Sequence, residues 1–125
     1  MADGHPDRRD DRNVREVLTA KQEEVLAQIG ALSRSFEDIV GASESANADD
    51  EHDPEGSTIA FERTQVAALL AQARAHLREV AGALQRLDAG GYGCCERCGA
   101  EIAPERLVAR PTARTCIHCA VARHG

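Results

Sequence analysis

From Leu18 the apolar positions run Leu18, Val25, Ile29, Leu32, Phe36, Ile39, and only Gln22 interrupts an alternation of four and three. From Val66 a second run, Val66, Leu70, Ala73, Leu77, Val80, Leu84, Leu87, has no interruption. This spacing is the heptad seam of a coiled coil. It predicts two long helices, near residues 14–40 and 58–89. One such helix cannot bury its seam alone. Two of similar length, closely joined, can bury theirs against each other as an antiparallel hairpin. At about 1.5 Å per residue the expected rod is roughly 40 Å long. A dimeric coiled coil would bury the same seam, but the short joint favours the intramolecular hairpin and a monomer.

The polar run from Gly41 to Ser57 is the expected joint and tip. Gly41 suits a helix C-terminus. Asp53-Pro54-Glu55 reads as an N-cap, a proline at the first helical position and an acid in the first turn, with Ser57 a second candidate cap. Residues 1–13 are expected to be a disordered tail. "MADGHPDRRDDR" has no apolar core of a secretory signal, and no run of 18 apolar residues exists to span a membrane. A cytoplasmic protein is expected.

Composition agrees with thin seams. Phe36, Phe61 and Tyr92 are the only aromatics, yet apolar residues make up 42% of the 125. That suits long helices better than a thick core. A small C-terminal piece with so few large side chains needs a staple.

"GYGCCERCGAEIAPERLVARPTARTCIHC", Gly91 to Cys119, holds all five cysteines and offers one. Cys95, Cys98, Cys116 and Cys119 give C-x2-C-x17-C-x2-C, the pattern of a structural four-thiolate zinc site. A C-x-x-C turn lets both sulfurs reach one ion, and Gly99 permits the backbone to fold beneath it. Using Cys94 instead would give C-x3-C, with the turn residues out of register. His118 lies between ligands and is read as a surface residue. Paired thiols in a chain without a secretory signal suit metal better than disulfides. Four thiolates close the shell of one structural Zn2+ and leave no position for an activated water. With no nucleophile beside a base and no phosphate loop, no enzyme is expected.

Charge divides unevenly. Residues 91–125 carry five Arg against three Glu, or +2; the whole chain is −6, which leaves −8 on residues 1–90. "ESANADDEHDPE" concentrates the acids: Glu44, Asp49, Asp50, Glu51, Asp53 and Glu55, with no Lys or Arg among them. A phosphate backbone needs clustered cations, so no sequence-specific DNA binding is expected of this half. A basic protein surface is the better partner. His52 among these acids lacks the glycine turn and spaced ligands of a calcium loop. The bland reading of the run is a solvated loop.

Tyr92-Gly93, Cys95-x-x-Cys98-Gly99, Ile102, Arg106-Leu107, Ala109-Arg110-Pro111 and Cys116-x-x-Cys119 resemble the C-terminal zinc finger of the DksA/TraR family of bacterial RNA polymerase regulators. The resemblance covers under a quarter of the chain. It implies a mainly α fold, the antiparallel coiled-coil hairpin followed by a small C4 zinc-finger module at 90–125. It implies binding at the secondary channel of RNA polymerase, with the tip (Asp49, Asp50, Glu51, Asp53, Glu55) inserted toward the active centre, often together with guanosine tetraphosphate. The family's tip motif, Asp-x-x-Asp-x-Ala, has no counterpart here. Counting back from the cysteines places His52, Glu55 and Ser57 there, and a shift of one residue leaves Gly56 and Thr58 at the later positions. The expected function is therefore a polymerase-binding transcription regulator. The alternative is a zinc-stabilised adaptor using Arg106, Arg110 and Arg114 on a protein or nucleic acid, although no aromatics interleave them. Cys94 has two readings: a small tolerated side chain, or a redox thiol that forms a disulfide with Cys98 or a ligand of the second pair and expels the zinc.

Overall fold

The computed structural model describes residues 8–47 and 54–124. Four helices succeed one another: α1 (Arg8–Asn47), α2 (Pro54–Ala89), α3 (Pro104–Ala109) and α4 (Ile117–His124). Among the described residues the only β pairing is an isolated antiparallel bridge between Cys94 and Glu101. The mainly α class, two long helices and then a cysteine module, is as expected from the sequence. No described helix is long and apolar enough to cross a membrane.

Both long helices exceed their expected limits. α1 starts at Arg8, so residues 8–13, expected in a disordered tail, are helical. No Pro or Gly interrupts the chain between Arg8 and Ile29. α1 also runs past Gly41 to Asn47. A glycine inside a helix costs only about 1 kcal/mol, too little by itself to end one. α2 starts at Pro54 rather than near 58, with the proline at the first helical position. Asp49, Asp50, Glu51, His52 and Asp53 lie outside the described residues, and Glu55 falls in the first turn of α2.

The chain forms two compact units, one of Met1–Gln22 with Arg78–Gly125, the other of Glu23–Leu77. In the first, Leu18, Val80 and Ala83 are fully buried together, with Val14, Leu84 and Tyr92 packed around them. Arg15 and Asp88 pair above this cluster, each substantially exposed. The pairing of α1 with α2 runs in opposite directions here: Arg15 meets Asp88, and Leu18, later in α1, meets Val80 and Ala83, earlier in α2. In the second unit Val25, Leu70 and Ala73 are buried. Ile29, Leu32, Phe36, Ile39 and Val66 are half-buried there, as a two-layer seam requires. Phe36 and Leu70 line a groove of about 280 Å³ whose edge carries Glu37 and Arg74.

Every seam position read from the heptad spacing is buried or half-buried. Ala83, one place off that seam, is fully buried as well. A strict heptad template passes over it, although its small side chain suits a close approach of two helices.

α2 stops in a Schellman motif. Gly90 has φ +85°, its N–H bonds the carbonyl of Leu87 at 3.2 Å, and the Gly91 N–H bonds the carbonyl of Arg86 at 2.8 Å. The left-handed residue turns the chain out of the helix and directly into the cysteine module.

Candidate metal centre

The first thiol pair sits on a tight loop. Ile102 N–H bonds the Gly93 carbonyl at 2.7 Å, Cys95 N–H bonds the Ala100 carbonyl at 2.8 Å, and Gly99 N–H bonds the Cys95 carbonyl at 3.0 Å. Gly99 closes this loop at φ +78°, a backbone conformation that costs a side-chain-bearing residue free energy. The second pair uses a helix instead of a loop. Cys116 stands just before α4, Cys119 lies in its first turn, and the Ala120 N–H bonds the Cys116 carbonyl at 2.9 Å.

Together these elements gather the sulfurs of Cys95, Cys98, Cys116 and Cys119 within 4.8 Å of one another. Zn–S bonds of about 2.3 Å imply S···S edges of about 3.8 Å in a regular tetrahedron. The Cys98–Cys116 separation is 3.8 Å. The donor set thus fits one tetrahedral zinc. Cys95 and Cys116 are buried with Ile102 between α3 and the loops, against Leu107. Cys94 is exposed and, like His118, stands apart from the four gathered sulfurs.

Protonation is uneven across the cluster. The backbone N–H of Cys116, then that of Cys98, holds the Cys95 thiol down to about 6. Cys116 is lowered chiefly by the backbone N–H of Cys119. Hydrogen bonding to the sulfurs of Cys116 and Cys95 pushes Cys119 up to about 12. Without metal, Cys119 therefore keeps its proton. Zinc must displace it, because only thiolates ligate. Zinc affinity is expected to fall on acidification, and more steeply once pH passes below about 6, where Cys95 also takes up a proton. Competition with a chelator at stepped pH measures this, and a pH-independent affinity would contradict it.

Three side chains support the site without joining it. The Tyr92 hydroxyl donates to the Pro111 carbonyl at 2.7 Å, Arg86 Nη2 to the Thr112 carbonyl at 3.3 Å, and Arg106 Nε to the Thr115 carbonyl at 3.0 Å. Burial raises the Tyr92 hydroxyl above its usual range, which keeps the donated proton in place. Tyr92, Arg106 and Pro111 belong to the family pattern, so their positions are visible in the sequence although their roles are not. Nothing in the sequence singles out Arg86, one arginine on a long helix.

Residues 90–123 match the family model of the prokaryotic dksA/traR C4-type zinc finger. The cysteine module is similar to the DksA/TraR finger. The DksA/TraR finger explains the closed four-sulfur site: its metal is structural. Among relatives of known sequence, a protein of Aquifex aeolicus is 52% identical over 46 residues, 37% of this chain and 32% of that protein. The protein YteA of Bacillus subtilis is 42% identical over 69 residues, 55% of this chain and 29% of its own. The RNA polymerase-binding transcription factor DksA of Haemophilus influenzae is 44% identical over 43 residues, 34% of this chain and 30% of its own. The chain thus spans about a third of the length of the curated relatives it matches. The structure of transcription factor DksA2 from Pseudomonas aeruginosa is similar over a longer stretch, with a TM-score of 0.79 over 94% of this chain and 85% of that one. At 24% identity that likeness concerns the fold.

Proposed function

We propose that this chain belongs to the DksA/TraR family and is a monomeric, cytoplasmic, zinc-stabilised regulator of transcription that binds RNA polymerase at its secondary channel. The observation that carries the reading is the finger, whose relative in Haemophilus influenzae is named an RNA polymerase-binding transcription factor. The tip supplies the second half of the proposal. Asp49, Asp50, Glu51, Asp53 and Glu55 place like charge at the joint of two long helices, where stability alone does not favour it. Such a joint suits a basic or metal-bearing pocket.

Core RNA polymerase is expected to retain the full chain in a pull-down, and to retain a variant lacking residues 48–53 less well. Neutralising Asp49, Asp50, Glu51 and Asp53 to the amides should alter transcription in vitro with zinc content unchanged. Charges at the rim of an interface act mainly on association rate. A group near the catalytic magnesium acts on output at saturation. Unchanged transcript yield at saturating protein would leave the tip a solvated loop. Failure of core polymerase to retain the chain at all would leave the adaptor reading, with Arg110 and Arg114 exposed on the finger.

A further inference from the structure

The segment that delivers the second thiol pair has little packing of its own. From Arg110 to Cys116 the chain is neither helix nor strand, and only Ala113 and Cys116 are buried. Hydrogen bonds hold it instead. The carbonyl of Arg110 accepts from the Ala113 N–H at 2.9 Å, and that of Arg114 from the Glu96 N–H at 2.9 Å. The carbonyls of Pro111, Thr112 and Thr115 accept from Tyr92, Arg86 and Arg106. These three donors come from different places: Arg86 from the last turns of α2, Tyr92 from the loop after it, and Arg106 from α3. Tyr92 has a further contact, since its ring packs against the Leu18–Val80–Ala83 cluster. It therefore touches both the helical core of the first unit and the segment that ends at Cys116.

We propose that Arg86, Tyr92 and Arg106 are positioning residues for the metal centre, and that Tyr92 couples retention of the metal to the packing of α1 on α2 in the first unit. A sulfur contributes fully to a four-thiolate site only if its backbone waits in place, because an unfixed segment must be ordered each time the metal binds. Arg106 acts next to the ligand, on the carbonyl of Thr115. Tyr92 and Arg86 act further upstream, where the segment leaves Arg110. Coupling of this kind is reciprocal: whatever loosens the helical cluster loosens the metal, by the same factor in affinity. This inference concerns the chain's own metal site and does not depend on what the protein binds.

Transfer of zinc from the loaded full-length protein to a coloured chelator tests it, with thermal unfolding of each variant run alongside. Tyr92→Phe removes one hydroxyl and keeps the ring on the core. It is expected to release zinc roughly 10-fold faster, the lower end of what partners behind a metal ligand contribute. Leu18→Ala touches no sulfur but sits beneath Tyr92, and it too is expected to speed release. Leu70→Ala removes a buried leucine in the other unit and is expected to leave release within about twofold of the parent, beyond a general loss of stability. Tyr92→Phe releasing zinc at the parental rate would overturn the positioning role. Leu18→Ala and Leu70→Ala accelerating release equally would overturn the coupling, because general destabilisation alone would then account for both. If Leu18→Ala does not fold, Ala83→Gly takes its place, and equal acceleration by Ala83→Gly and Leu70→Ala overturns the coupling in the same way.

Discussion

Cys95→Ser and Cys119→Ser are expected to lose zinc and to unfold residues 92–119. The module has few other means of staying folded. Its buried cluster is Cys95, Ile102 and Cys116, with Leu107 and Cys119 packed against it, so two of the three buried members belong to the gathered thiols themselves. Structural zinc contributes roughly 10–16 kcal/mol in small zinc-finger peptides, as much as the whole stability of an ordinary domain. A cluster of this size cannot replace that. Metal analysis of the purified variants and the loss of dispersed amide signals from the finger would register the change. Cys94→Ser should keep one zinc per chain, because Cys94 is exposed and stands outside the gathered set. Full zinc in Cys95→Ser, with loss in Cys94→Ser, would shift the ligand register by one residue.

Val80→Asp should unfold the first unit. Val80 is fully buried, and the cluster around it consists of Leu18, Ala83, Val14, Leu84 and Tyr92. An aspartate there exchanges a buried valine, which contributes about 1.5–3 kcal/mol, for a carboxylate whose isolated burial costs several kcal/mol more. The total approaches the roughly 5–15 kcal/mol that holds a domain together. Leu69→Asp on the same helix is the control. Leu69 is 47% exposed, so its replacement should shift stability by only about 0.5 kcal/mol. Helical circular dichroism through a thermal ramp distinguishes the two. An unchanged melting curve for Val80→Asp would mean that the seam is not the core.

Much of this molecule was legible in the chain because two periodic rules act over long distances in it. Two long runs of heptad spacing, broken only at Gln22, are hard to produce by chance, and a four-thiolate spacing has few other physical uses. The limits of α1 were not legible, whereas α2 begins at the Pro54 read as a first helical position and ends at Ala89 as expected. Gly41 reads as a stop, yet it lacks the left-handed φ and capping hydrogen bonds with which Gly90 and Gly91 end α2. The N-terminal turns before residue 14 carry charge without apolar periodicity, so a reading based on seams passes over them. Arg86 and Ala83 were missed for a related reason. Arg86 acts through the carbonyl of Thr112 and Ala83 through its place in the cluster with Leu18 and Val80, and tertiary contacts of this kind leave no period behind.

Tyr92 is the only tyrosine in a chain without tryptophan. Its phenol therefore dominates the near-ultraviolet absorption and emission of the whole protein, the two phenylalanines adding little. That chromophore happens to sit where the helical cluster meets the finger, with its hydroxyl bound to the Pro111 carbonyl. The protein thus carries an intrinsic optical reporter of this junction. A change in tyrosine emission reports the state of one hydrogen bond and one packed ring, with no label attached.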